Sequence, residues 1–245
     1  MYEEKVVIEK EDKDLSVAFM GVIDKLMYKE DDNTKVSIID YKTGNTDIKL
    51  NNIIYGLDMQ LPIYLYLAKN IDKFDNCQIV GFYLQKLLNS EVNKDYNKDY
   101  ITLKKDRLKL TGYSIDNTIL LEEFDDSYNK SEVIKSMATT STGTFNHYAK
   151  VLGNSDLKKI ETIVDNKINE CINNIKDANF DINPKVIDKD NRGCKFCMFY
   201  DVCYVEAKDK VVLEEKSLDK ILEEVEYCQY GHQNKVMRLI SKILI

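Results

Sequence analysis

The sequence predicts an α/β domain in which helices flank a sheet. Three observations carry this. Leu15–Tyr28 and Lys35–Tyr41 are rich in apolar and β-branched residues and are joined by the polar turn Glu30-Asp31-Asp32-Asn33, so they read as an antiparallel hairpin. Cys77–Leu88, centred on Ile79-Val80-Gly81-Phe82-Tyr83-Leu84, reads as a third strand. Between and after these strands lie segments of helical period, and strands interleaved with helices are the pattern of α/β folds.

Taken in order, the first strand carries Val17, Phe19 and Ile23 among its apolar positions. Asn52–Asn70 places Leu57, Leu61, Tyr64, Leu65 and Ala68 at helical spacing. Pro62 lies inside it. A proline in a helix interior costs about 3 kcal/mol and kinks the helix, so a bend near Asp58 is expected. Asn89–Asn154 mixes polar turns, a short strand at Ile101–Lys109 and a Ser/Thr/Gly stretch at Thr139–Thr144, and reads as an insertion with mobile parts. Ser155–Lys176 is a helix with Ser155 as its N-cap and a stripe of Leu157, Ile160, Ile163, Val164, Ile168, Cys171 and Ile175. Asn183-Pro184 breaks that pattern. A cysteine segment follows at 193–206, then helical sequence from Ser217 to the end, a tail of residues 217–245. No internal repeat is present and no linker is long enough to force a boundary, so residues 1–245 read as a single domain.

Composition narrows the classes. The chain has 245 residues, 44% hydrophobic and 31% charged, ordinary for a soluble globular protein. No apolar run approaches the roughly 20 residues of a membrane span. Met1-Tyr2-Glu3-Glu4-Lys5 lacks a signal-peptide pattern. A cytoplasmic location is expected, with no membrane partner, and the six cysteines then read as thiols or metal ligands rather than disulfides. A net charge of −7 argues against a general nucleic-acid coating protein but not against an enzyme acting on nucleic acid. Lys104, Lys105, Arg107 and Lys109 form a local cationic cluster with the geometry to touch phosphates; the blander reading is a solvated surface.

Three residue sets carry chemistry. The first is Gly21-Val22-Ile23-Asp24 with Ile38-Ile39-Asp40-Tyr41-Lys42-Thr43-Gly44. Residues two apart on a strand share a face, so Asp40 and Lys42 do, and Asp24 can reach that face from the neighbouring strand. Two carboxylates, with the Tyr41 carbonyl as a third oxygen, suit Mg²⁺ or Mn²⁺, and Lys42 can orient a water or stabilise charge on a phosphate. Alone, Asp-x-Lys is a common pattern, and a surface salt bridge worth under about 1 kcal/mol accounts for it equally. The second set is Gln60 and Tyr64, four apart on one helix face. The third is Cys194-x2-Cys197-x5-Cys203, set among Phe196, Phe199, Tyr200 and Tyr204. Clustered thiols suggest a metal or an iron–sulfur cluster, although three cysteines are one short of four; a buried knot of aromatics and cysteines is the alternative. Cys77, Cys171 and Cys228 are possible fourth ligands, though each fits a core position better. His147 and His232 are isolated and carry no role.

In this order the sets resemble the PD-(D/E)XK nuclease superfamily in its RecB-like branch. Gly21–Asp24 matches a G-x-x-D strand, Asp40–Lys42 a D-x-K strand, and Gln60–Tyr64 a Q-x-x-x-Y helix. The C-x2-C-x5-C ending, together with a segment like Leu110-Thr111-Gly112-Tyr113, is similar to nuclease domains of AddB-type subunits of AddAB helicase–nucleases. The resemblance extends to about residue 206. It implies a restriction-endonuclease-like mixed sheet flanked by helices and Mg²⁺- or Mn²⁺-dependent DNA cleavage, exonucleolytic when coupled to a helicase subunit. It also implies a 4Fe–4S cluster held by Cys194, Cys197, Cys203 and one cysteine further upstream, and an upstream histidine at the active site. The 20 residues before Gly21 contain neither Cys nor His, so the chain is expected to be a fragment, purified without a complete cluster and weakly active alone. Two rival readings are a non-catalytic nuclease-like lobe that binds DNA or scaffolds a helicase complex, and a stand-alone RecB-like nuclease.

Overall fold

A computed structural model describes residues 2–12, 15–74, 76–87, 97, 99–195 and 197–231. The chain divides into two compact units, Met1–Ile48 with Met59–Glu161, and Lys49–Asp58 with Thr162–Ile245.

The first unit is built on a six-stranded mixed sheet. It opens with β1 (Tyr2–Asp12), β2 (Leu15–Lys29) and β3 (Lys35–Lys42), paired antiparallel in that order. Helix α1 (Gln60–Lys69) follows, and β4 (Gln78–Lys86) then lies parallel to β3. A parallel neighbour needs a crossover, and the segment containing α1 supplies it. After α2 (Tyr100–Leu108), β5 (Thr111–Ile115) pairs antiparallel with β4. After α3 (Thr118–Phe124), β6 (Val151–Leu152) pairs parallel with β5, giving the order β1-β2-β3-β4-β5-β6. The mixed sheet with helices on it is the α/β architecture expected from the sequence.

Four expectations are corrected here. First, the segment 89–154, read as an insertion, contributes to the main sheet. Where described, it supplies two of the six strands, and Thr139–Thr144 is a tight hydroxyl-bonded turn in which the Thr140 N–H donates to the Thr144 carbonyl at 2.7 Å. Second, residues 101–109 form a helix rather than a strand. The Asp99 carboxylate accepts from the Thr102 N–H at 2.9 Å and from its hydroxyl at 2.6 Å, and this N-cap outweighs the β-branched pair Ile101-Thr102. Third, the helix expected at 52–70 is two pieces: a 3-10 turn at Leu50–Tyr55 and α1. They are separated at Gly56 and Asp58, both with positive φ. The break falls near Asp58 as expected, but Pro62 does not cause it. Pro62 sits in the first turn of α1, where its missing N–H would have no helical partner, and the N–H of Ile63 makes the first helical bond, to Met59 at 2.8 Å. Fourth, α4 (Asn154–Lys176) is one residue longer than expected at its start. Gly153, not Ser155, precedes it, and the Gly153 N–H donates to the Asp156 carboxylate at 3.0 Å.

The core of this unit is aliphatic. Ile23, Leu26, Ile38, Leu65 and Leu67 are fully buried between the sheet and α1. The central β4 is apolar and buried at six consecutive positions, as a strand covered on both faces must be. Within it, Tyr83 shares a hydrogen bond with Ser114 at 2.7 Å and stacks on Phe124. Gly112 lets β5 approach there; a Cβ at that position would lie 2.1 Å from the Phe82 carbonyl oxygen.

In the second unit, Asn51 and Tyr55 bond to Glu215 and to the Glu214 carbonyl at 2.7 and 2.9 Å. β7 (Lys185–Ile187) and β8 (Val211–Leu213) make a short parallel pair. Between them lie the single turns α5 (Arg192–Lys195) and α6 (Tyr200–Cys203), and α7 (Leu218–Gly231) follows. The remainder of the expected tail lies outside the described residues. In α4 the buried stripe runs through Ile168 to Ile172; Cys171 and Ile175, expected on it, are exposed because Ile172 takes the inward position.

Candidate active site

The site forms where the β2–β3 ladder ends. Its last pair is Lys25 with Ile39, and the next step of that register sets Asp24 opposite Asp40. Residues directly opposite on antiparallel strands share a face. The backbone does not continue the ladder; instead the Tyr41 N–H donates to Asp24 Oδ2 at 3.1 Å. A bulge makes this possible. On the β1 side Glu4 pairs with Ile23 and Tyr2 with Leu26, so β2 carries one extra residue there. Ile23 and Leu26, three apart, are both buried, which strict alternation forbids. The bulge reverses the alternation and turns Asp24 toward Asp40.

Asp40 is 1% exposed. Burial raises its pKa, Lys42 opposes that shift, and the neighbouring Asp24 adds to it. The Lys42 ammonium lies 2.6 Å from Asp40 Oδ2, an ion pair rather than a well-aligned hydrogen bond. Gln60, at the start of α1, ties the pair together. Its Nε2 donates to Asp40 Oδ1 at 2.9 Å, and its Oε1 accepts from Lys42 at 2.6 Å. Only this orientation of the amide satisfies both partners, since the reverse would set an NH₂ group against the ammonium. The Gln60 Nε2 also donates to the Tyr64 hydroxyl at 3.1 Å. Burial pushes the Tyr64 phenol up, against the Gln60 hydrogen bond. Gly21 lets α1 come this close, because a Cβ there would lie 2.3 Å from Leu67 Cδ1.

Asp24, Asp40, Lys42, Gln60 and Tyr64 are thus gathered at one end of the sheet. Among the described residues no group of three or more His, Cys, Asp or Glu side chains is arranged to hold a metal. Two carboxylates nonetheless fit Mg²⁺, which is commonly held by one or two carboxylates with waters and substrate phosphates filling its remaining positions. The three cysteines fit a cluster less well. Cys194, Cys197 and Cys203 are free thiols, the second exposed and the others half-buried. The Cys197 N–H donates to the Cys194 carbonyl at 3.2 Å, so these two lie on one turn, but the three are not gathered as a metal-binding group. Nor is there a buried aromatic knot: Phe199, Tyr200 and Tyr204 are exposed, and Phe196 lies outside the described residues. Cys77 is half-buried and Cys171 exposed, while the Cys228 side chain and His232 lie outside the described residues. His147 packs its ring on Tyr148.

In the basic cluster, Lys109 is engaged by the Ser131 carbonyl at 3.0 Å and by Asp106, whereas Lys104, Lys105 and Arg107 project from α2. Sequence reasoning overlooked Lys86. It lies beside Lys42 in the parallel register, and the legible signal was a lysine closing the apolar run of β4.

Comparison with known proteins agrees with this geometry. The family model of the PD-(D/E)XK nuclease superfamily matches residues 2–204. The chain is similar to proteins named as the B-type subunit of an ATP-dependent helicase/deoxyribonuclease. It is 27% identical over 197 residues to that of Thermoanaerobacter sp. (strain X514), covering 78% of this chain and 17% of the relative. It is 28% identical over 199 residues to that of Carboxydothermus hydrogenoformans, covering 78% and 18%. It is 26% identical over 206 residues to that of Clostridioides difficile, covering 79% and 18%. The chain therefore spans about one fifth of the length of the curated relatives it matches. With a mixed sheet, two facing carboxylates and a family match over most of its length, the chain belongs to the PD-(D/E)XK nuclease superfamily.

Proposed function

We propose that Asp24, Asp40, Lys42, Gln60 and Tyr64 form the hydrolytic centre of a Mg²⁺- or Mn²⁺-dependent deoxyribonuclease. We further propose that this chain acts in the cytoplasm as the nuclease domain of an AddB-like subunit, working as an exonuclease beside a helicase partner in double-strand break repair. The observation that carries the reading is Gln60, which bonds to both Asp40 and Lys42 and closes a ring around a buried carboxylate. A surface salt bridge needs neither a helix amide to hold it nor burial.

The residues divide the work. Asp24, Asp40 and the Tyr41 carbonyl would hold the cation. When bound, the cation polarises the phosphate and lowers the pKa of a water. Lys42, 2.6 Å from Asp40, orients the attacking water or stabilises the negative charge that develops on the phosphate. Gln60 fixes the Lys42 ammonium, and the Tyr64 hydroxyl holds the Gln60 amide. Retention of all five side chains favours a catalytic over a scaffolding lobe. The three cysteines are proposed as part of a 4Fe–4S site; that proposal rests on spacing and resemblance.

The test is degradation of linear DNA with Mg²⁺ or Mn²⁺, by this chain and by a helicase–nuclease containing it. Asp40→Ala should abolish cleavage while leaving ATP-driven unwinding intact. Degradation at the normal rate by the variant would show the catalytic assignment to be wrong.

A further inference from the structure

We propose that α2 is a DNA-strand-guiding helix: Tyr100, Ile101, Lys104, Lys105 and Arg107 hold single-stranded DNA at the sheet end where Asp24 and Asp40 lie. The proposal deepens the nuclease reading and rests on it for the purpose of the contact.

No residue of α2 is buried. Helical spacing puts Tyr100, Lys104 and Arg107 along one line of its surface, and Ile101, Lys105 and Leu108 along the next. Tyr100 is 57% and Ile101 66% exposed, so both side chains are open to a ligand. Among the described residues Lys104, Lys105 and Arg107 form no ion pair, whereas Lys109 beside them is matched to Asp106. Three such cations lie within four residues of an acidic chain.

The position of α2 gives these cations a use. The carbonyl of Leu108, its last residue, accepts from Gln85 at 3.5 Å. Gln85 pairs with Tyr41, whose N–H holds Asp24, and Leu84, between β3 and β5, pairs with both Asp40 and Thr111. The helix is therefore tied to the active-site end of the sheet, and Lys86 stands beside Lys42 on the strand between. A polyanion approaching two carboxylates is repelled, so nearby cations on its path lower that barrier. A duplex would need only the cations. An exposed phenol ring and an isoleucine among them fit unstacked bases, because every base offers a π-face to an aromatic side chain.

The experiment measures binding of a fluorescent oligothymidylate to the full chain in chelator, where cleavage is silent, across a salt series. Lys104→Ala/Lys105→Ala/Arg107→Ala should weaken binding at least tenfold at low salt. It should also lower the slope of log K against log salt by about 2, since each single-strand phosphate contact contributes about 0.7. Tyr100→Ala should weaken binding by about tenfold with the salt slope unchanged, as loss of stacking does. Both variants should melt with the parent, because no α2 side chain is buried. Unchanged affinity and slope in the triple variant would overturn the proposal. So would an equal loss on blunt duplex, or no oligonucleotide binding by the parent at low salt. Loss of binding in these variants together with undiminished DNA cleavage by Asp40→Ala would leave α2 a single-strand contact and remove the nuclease reading instead.

Discussion

At the scale of the residue, the consequential side chain is Gln60. It touches neither substrate nor cation in the proposed centre, but it fixes the distance and direction between Asp40 and Lys42. Side chains that orient a metal or catalytic group in this way cost about 10–100-fold in activity when removed. Gln60→Ala is expected to lower the cleavage rate by about that factor while the melting temperature stays close to the parent's, because Gln60 lies at an exposed helix start. Equal loss of activity and stability would make Gln60 a packing residue. Gln60→Glu should be at least as damaging, since its carboxylate cannot donate to Asp40. Asp24 was legible as the aspartate of the Gly21–Asp24 run, but it lies within β2, beside the end of the β2–β3 pairing, and its direction was not legible. Alternation from the buried Ile23 aims it away from Asp40, and only the extra residue in β2 turns it back.

At the scale of the element, β2 and α1 are coupled through Gly21. A methyl group at that position meets Leu67, which is fully buried and has little room to yield. Gly21→Ala should destabilise the fold by about 1–3 kcal/mol, the usual cost of overpacking. Combined with Leu67→Ala, the loss should be smaller than the sum of the two single losses, which a double-mutant cycle in denaturant would show. Additive losses would mean that Gly21 does not set the approach of α1. Helix α2 depends on its cap. Hydrogen bonds from the Thr102 hydroxyl and then the Thr102 amide hold the Asp99 carboxyl below its ordinary value of 3.8. A group whose folded pKa is depressed contributes stability above its unfolded pKa and loses it as pH falls through the folded one. Protection of the Thr102 amide, its exchange relative to an unstructured peptide at the same pH, should therefore fall on acidification below about pH 4, and in Asp99→Ala it should be low throughout that window. The same cap explains why the strand expected at 101–109 is a helix: a single carboxylate before Thr102 decided between two local preferences.

At the scale of the whole molecule, the ring of Asp40, Lys42 and Gln60 in the candidate centre closes through side chains alone. The fold should therefore survive chelation, and Mg²⁺ should act by linkage. At 100 times its dissociation constant it would add about 2.7 kcal/mol, seen as a rise in melting temperature. Asp24→Ala should retain the fold and show no such rise. A Mg²⁺-dependent shift that persists in Asp24→Ala would place the cation elsewhere. The net charge of −7 makes the remaining surface a poor host for DNA, so affinity should depend steeply on the few cations of α2.

The sequence by itself determined the α/β class, the hairpin and the central buried strand, and it singled out the five residues proposed for the site. Each is written in local pattern: apolar period, turn residues, and an Asp-x-Lys run. Tertiary structure decided the rest. It made β5 and β6 part of the main sheet, because two- and five-residue strands carry too little periodicity to be read alone. It placed Pro62 harmlessly in a first turn and put Asp24 on the face of Asp40 through one bulged residue. It brought Gln60 onto both members of the Asp40–Lys42 pair across a strand-to-helix contact that exists only because Gly21 has no side chain. The physical reason is common to all of these. Local pattern fixes which face a side chain prefers, but which faces meet is set by register and by the closest approach of backbones, and those depend on residues far apart in the chain.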